Sequence, residues 1–378
     1  MSDGAKTATR TQRPQVLKGF RDHLPAKMLL RRRIIETFRG IYERHGFEPI
    51  DTPALEYLEV LTGKAGENEK LMYHFADQGG RDVGLRYDLT VPLARFIASN
   101  ESEVVFPFKR YHIAPVWRAE KPQRGRFREF WQCDADIVGS ASMIADAEIV
   151  SIMAEALVAG GLPEGSRDLV GARFRLARFL LASSTLRRAA GVPDERSGTI
   201  YRSVDKLGKI GPEGVRAELL DQGIDPDAAG RVLDAVTEQA STTDVLASLR
   251  GRLDGSPGAL SALDDLDQLF ALLRALGVPE TNYRLDVSLA RGLDYYTGPV
   301  YEAVVAQPKV GSVAGAGRYD GLVGSMIGRS IPATGMSLGL ERIIEVVEEF
   351  QLLPVRANVA DVFVAVFPKT VEQAAGIA

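Results

Sequence analysis

The chain has 378 residues, 45% of them hydrophobic and 25% charged, and its 46 Lys+Arg against 50 Asp+Glu give a formal net charge of -4. That length holds two or three globular domains, and no apolar run approaches the roughly 20 residues that a spanning helix needs. The single cysteine, Cys133, excludes an intramolecular disulfide and any multi-cysteine zinc site. His23, His45, His74 and His112 are too scattered for metal-ligand spacing, so no protein-bound transition metal is expected.

Residues 1–15 are polar, with no apolar core or cleavage-site pattern, and read as a disordered leader on a cytoplasmic protein. Over 26–44, Leu29, Leu30, Ile34, Ile35, Phe38, Ile41 and Tyr42 keep the period of an amphipathic helix that Gly46 closes. The following extended stretch carries Pro49 and Pro53, which confines it to a sheet edge or to an interface. MYHFAD and DVGLRYD then form a hairpin across Gln78, Gly79 and Gly80. Asp88 and Thr90 stand where its second strand meets a new helix, a position that a simple helix cap also explains.

Two strands, 110–117 and 127–138, flank the polar loop 119–126, which contains Pro122 and Gly125. Lys109, Arg110, Arg118, Lys121, Arg124, Arg126 and Arg128 face a single intervening acid, Glu120, in an otherwise acidic chain. Guanidinium forks match phosphate oxygens, so an anionic ligand is one reading and a solvated basic loop the other. Arg118, Gln132 and Asp136 have the strand spacing of a polar site cut into an apolar sheet face.

A helix over 146–160 is followed by a change of texture. Helix-period runs rich in Ala, Leu, Arg and acids, such as RFRLARFLLASSTLRRAAG, fill 173–276 and read as a helical insertion. Strand character returns at Tyr283, and RGLDYYTG places Arg291 beside the aromatic pair Tyr295 and Tyr296. Residues 311–323 read as a glycine-dense loop that lets backbone approach a ligand. Over 333–350 a strand, a glycine turn and a helix follow, with Arg342 in the first helical turn, where a helix N-terminus favours anions. Residues 360–378 begin a further domain.

WRAE with RGRFREFWQCDADIVG resembles motif 2 of class II aminoacyl-tRNA synthetases in the form found in the histidyl-tRNA synthetase family. The stretch 46–56, with Pro53, is similar to motif 1, and GLER to motif 3. RGLDYYTG matches a signature found in histidyl enzymes, and AGAGRYDGL matches their second one with Ala316 replacing the middle glycine, a methyl expected either to narrow the histidine pocket or to restrict the loop to φ < 0.

The resemblance implies an α+β fold: a class II synthetase core with an antiparallel sheet flanked by helices. Its domains would be the leader 1–15, catalytic core over 16–165 and 281–355, a helical insertion over 166–280, and at 360–378 the start of an anticodon-binding domain. It implies catalytic roles for Arg118 and Arg291, histidine contacts from Asp88, Thr90, Gln132, Asp136, Tyr295 and Tyr296, and ATP contacts from Arg118, Glu120, Arg126 and Arg342. The substrates would be L-histidine, ATP with Mg2+, and tRNA(His), and the protein a homodimer without membrane attachment. There is no G-x-x-x-x-G-K-[ST] element, so ATP must be held by something other than a P-loop. The alternative is a relative that binds without aminoacylating, the ATP phosphoribosyltransferase regulatory subunit.

Overall fold

The computed structural model describes residues 14–62, 66–162, 173–178, 200, 202–204, 206–237, 242–252, 257–286, 289, 295–354, 356 and 358–360. Most of the expected leader, Arg291 and the stretch beyond residue 360 lie outside the described residues. The helix expected from apolar period is α1 (Pro25–Arg44), which buries Leu30, Ile34, Phe38 and Ile41 along one stripe. It opens on a proline that needs no donor there, and the chain leaves it through Gly46 at φ +76°.

After α1 come the edge strand β1 (Glu48–Pro49), β2 (Leu55–Tyr57), the short α2 (Leu58–Leu61) and the hairpin strands β3 (His74–Ala76) and β4 (Asp82–Leu85). Asp77 makes the turn between β3 and β4 by accepting from the amides of Gly79 and Arg81. β2, β4 and β3 form a small antiparallel sheet beside α3 (Thr90–Ser99).

The dominant hairpin is β5 (Phe108–Trp117) with β6 (Glu129–Val138), paired in register from Phe108↔Val138 to Trp117↔Glu129. Its two faces differ chemically. Tyr111, Cys133, Ala135 and Ile137 enter the main core with α1 and α4 (Met143–Ala159), whereas Arg110, His112, Gln132, Asp134 and Asp136 occupy the other face and are also buried. Strict alternation along paired strands assigns the two sets to opposite sides.

The main sheet continues through β7 (Arg173–Arg178), β8 (Tyr283–Leu285), β9 (Pro299–Val304), β10 (Ser312–Arg318) and β11 (Ala333–Gly339). Its order is β1-β5-β6-β11-β10-β9-β7-β8, antiparallel except at β1–β5 and β7–β8. Pro49 therefore sits on an edge strand, as a residue without a backbone donor requires. Between β7 and β8 lie α5 (Leu207–Asp221), kinked at Gly211, then α6 (Pro226–Thr237), α7 (Thr242–Arg252) and α8 (Pro257–Ala275). α9 (Asp320–Ile327) and α10 (Leu340–Glu349) complete the described elements.

Two expectations are corrected. RFRLAR does not open a helix: it is β7, paired with β9 and β8 in the main sheet. The glycine-dense stretch is not a loop either: β10 lies inside the sheet between β9 and β11, and α9 starts directly after it. Glycine serves here by leaving space on one face. A Cβ on Gly317 would lie 2.6 Å from the Tyr296 ring, and one on Gly335 of β11 would overlap the Asp136 carboxylate. Ala316, beside Gly317 in β10, joins the main core beneath, so its methyl does not enter the cleft.

Candidate active site

The polar face of β5–β6 and the glycine-bearing face of β10–β11 form the floor of a cleft of about 340 Å³. At one end Asp88 reaches in from the start of α3. Its Oδ1 accepts from the Val91 amide at 3.0 Å, so the helix cap is real, while its buried Oδ2 has no partner. Burial pushes this carboxyl up to about 6, against the pull of the Val91 amide and the Arg118 cation. Thr90, the first residue of α3, is buried beside it and also lines the cleft.

Asp136 and Gln132 project from β6 into the same end. Asp136 Oδ2 lies 2.6 Å from Arg110 Nη2 in a fully buried salt bridge rather than an aligned hydrogen bond, and Oδ1 accepts from the Tyr319 hydroxyl. Burial raises the Asp136 carboxyl, and the Arg110 cation and the Tyr319 hydroxyl oppose that rise. Arg110 Nε and Nη1 are buried without partners, as is Gln132 Oε1. Asp134, one alternation along, is pushed up to about 8 by burial, with Arg110 opposing and Asp136 reinforcing the shift. Tyr295, Tyr296 and Tyr319 wall this end, with ring centroids 4.9 Å apart for Tyr295–Tyr296 and 5.9 Å for Tyr295–Tyr319.

The other end is cationic. Arg118 is steered by its Nε bond to the Tyr87 carbonyl at 2.9 Å and lies over the Phe130 ring, with its centroid 5.2 Å away. Arg126 pairs with Glu120 at 3.3 Å, and both line the cleft. Arg342, in the first turn of α10, donates from Nε to the Gly125 carbonyl at 3.0 Å and from Nη1 to the Ser312 carbonyl, which ties the loop after β5 to the start of β10. The segment before α1 holds that loop from the opposite side: Gly19 accepts from the Arg128 amide, and Arg21 stacks on Phe127.

The basic run seen in the sequence is thus mostly committed within the chain. Lys109 pairs with Glu148, Arg110 with Asp136, and Arg124 with Glu349, while Arg128 donates to the carbonyls of Glu120 and Lys18. From that run, Arg118 and Arg126 line the cleft. Of the site residues expected from sequence, Asp88, Thr90, Arg118, Glu120, Arg126, Gln132, Asp136, Tyr295, Tyr296 and Arg342 all meet in one cavity. Arg291 lies outside the described residues. Sequence reasoning assigned no site role to Arg110 or Tyr319, which act on Asp136 from β5 and from the turn between β10 and α9. Arg318, the neighbour of Tyr319 in the glycine-rich signature, turns instead to a buried ion pair with Asp146 that also engages Tyr301 and Thr334.

A family model described as histidyl-tRNA synthetase matches residues 19–343. The chain belongs to the histidyl-tRNA synthetase family. It is 48% identical over 341 residues to the histidine--tRNA ligase of Aeropyrum pernix, covering 88% of this chain and 74% of that protein. The histidine--tRNA ligase of Rhodopirellula baltica is 42% identical, over 94% of this chain and 79% of its own length. Among solved structures, histidyl-tRNA synthetase from Nostoc matches with a TM-score of 0.79 at 32% identity, over 90% of this chain and 77% of that one. A Bacillus halodurans protein described as an ATP phosphoribosyltransferase regulatory subunit/histidyl-tRNA synthetase matches at 0.77 but is 23% identical, which is a likeness of fold alone. The family's mixed α+β core, a mostly antiparallel sheet flanked by helices, is the fold found here.

Proposed function

We propose that the chain activates L-histidine with ATP to histidyl-adenylate and passes histidine to tRNA(His), the activity for which its relatives are named. One observation carries this reading: buried acceptors at one end of the cleft and arginines at the other share a single space. In the first step the histidine carboxylate attacks the ATP α-phosphorus, and pyrophosphate leaves. In the second the terminal ribose hydroxyl of tRNA attacks the adenylate carbonyl. Neither step needs a protein nucleophile, so catalysis rests on placement and on neutralising charge at phosphorus.

Asp88 and Gln132 would take the histidine ammonium, and Asp136 with Tyr296 the imidazole. Arg118, at the junction of the two ends, and Arg291 would face the carboxylate and α-phosphate, and Arg126 and Arg342 the outer phosphates. Mg2+ would enter with ATP as part of the substrate. Glu341 has both carboxylate oxygens occupied, by Arg31 and the Trp131 amide, which leaves Glu120 as the carboxylate free to exchange its exposed partner. Histidine-dependent exchange of labelled pyrophosphate into ATP tests the reading, and no exchange above background with histidine would overturn it.

The functional unit we propose is a cytoplasmic homodimer. α1 and the edge strand β1 supply the motif 1 pattern, and the small sheet exposes Leu55, Tyr57 and Phe75, with Tyr57 and Phe75 flanking Val83 on one face. Such a patch suits a second copy of the same surface. Sedimentation as a monomer at micromolar concentration would refute the dimer. Among the described residues no helix is long and apolar enough to cross a membrane.

A further inference from the structure

The Gln132 amide is held from one side only. Its Nε2 donates to Ser337 Oγ and lies 3.4 Å from Asp134 Oδ1, while Oε1 is buried at the cleft without a partner. Ser337 also hydrogen-bonds the Asp134 side chain, and the two residues stand directly opposite each other on β11 and β6. The residue opposite Gln132 is Gly339, which presents no side chain to compete for the amide.

The two ends of a primary amide have nearly the same shape, so partners decide which end faces where. A serine hydroxyl carries one proton. If that proton is given to an Asp134 oxygen, the Ser337 oxygen is left to accept, and only the N–H end of Gln132 satisfies it. Asp134 supplies an acceptor oxygen whether or not the acid is ionised. Asp134 does not line the cleft, whereas Gln132 and Ser337 both do, so its effect on a ligand passes through those two side chains.

We propose that Asp134 and Ser337 are positioning residues that lock the Gln132 amide with its oxygen turned into the cleft, so that the site selects ligands carrying a protonated amine. This rests on the histidine reading and adds to it the device that sets the polarity of one contact. An inverted amide would aim N–H groups at the ammonium, turning an attraction into a repulsion without changing the shape of the pocket.

The test compares three ligands by calorimetry: histidine, histidinol, which keeps the amine and lacks the carboxylate, and 3-(imidazol-4-yl)propionate, which lacks the amine. Ser337→Ala and Asp134→Ala should each weaken histidine and histidinol by roughly tenfold, the scale of one hydrogen bond to a charged group. The amine-free ligand and ATP should bind as before. Equal losses for all three ligands, or no loss, would overturn the assignment, and if Asp134→Ala does not fold then Ser337→Ala alone decides. A wild-type protein that binds neither histidine nor histidinol would remove the histidine reading itself, and this assignment with it.

Discussion

The two ends of the cleft are built on opposite principles. At the end proposed for histidine, Gln132 and Asp136 are buried on a sheet floor and Asp88 at the start of α3, and their partners come from other strands and helices. At the end proposed for ATP, Arg118 is half-buried, Arg126 is exposed, and the groups that steady them include carbonyl oxygens and one carboxylate. A buried, directional site rejects wrong ligands because its own polar groups would be left unpaired, whereas a wetter cationic site attracts phosphate with little demand on shape. Selectivity and charge neutralisation are therefore separable, and substitutions at the two ends should fail differently.

The sharpest break is Asp136→Ala. It strips the fully buried Arg110 of its counter-ion, so denaturant unfolding should show a loss of about 3–5 kcal/mol along with the loss of histidine affinity. ATP affinity of the protein that remains folded should be kept, and a parallel loss of both ligands would erase the proposed division. Arg118→Ala attacks the junction instead. It should slow adenylate formation by on the order of a hundredfold while leaving stability nearly unchanged, as measured by pyrophosphate exchange and thermal unfolding.

Acidity sharpens the contrast at the histidine end alone. Free Asp88 holds its proton up to about pH 6, and only the ionised form pairs with an ammonium. Histidine affinity should therefore fall as pH drops below about 6, approaching tenfold per unit, and Asp88→Asn should remove this step. Arg126→Ala should raise the ATP Michaelis constant by roughly a few-fold, an effect that shrinks with added salt, since its charge is solvent-screened.

The last effect is on stability rather than binding and concerns Asp134, whose folded-state value is raised from 3.8 to about 8. The folded protein then holds this proton more tightly than the unfolded chain, so the acid costs stability increasingly as pH rises from about 4 to 8. Asp134→Asn should gain thermal stability over wild type more at pH 8 than at pH 5, and equal differences at both values would refute the shift.

The parts of the fold that were legible from sequence owed it to local pattern. The 3.6-residue period of α1, the turn at Gly79 and Gly80, and the alternation along β5 and β6 each lie within a short window. β7 was not legible, because its partners Pro299–Val304 and Tyr283–Leu285 are far along the chain and its own residues carry helical period. β10 was hidden for another reason: glycine has low strand propensity, and its use here depends on Tyr296 arriving from elsewhere. The site residues came through as members of motifs, but Arg110 did not stand out from the basic run around it. Its pairing with Asp136 follows from a hairpin register that the loop composition does not fix.

Glu341 joins three distant parts of the chain: Arg31 of α1 donates to one oxygen at 2.8 Å and the Trp131 amide of β6 to the other at 2.8 Å. Because a polypeptide leaves the ribosome from its N-terminus, α1 and the β5–β6 hairpin wait through most of synthesis before this carboxylate exists. During that time β6 has no β11 beside it. A nascent chain stalled before Ala333 should therefore be sensitive to protease along β6 and retained by holdase chaperones, and extension past Glu341 should abolish both behaviours.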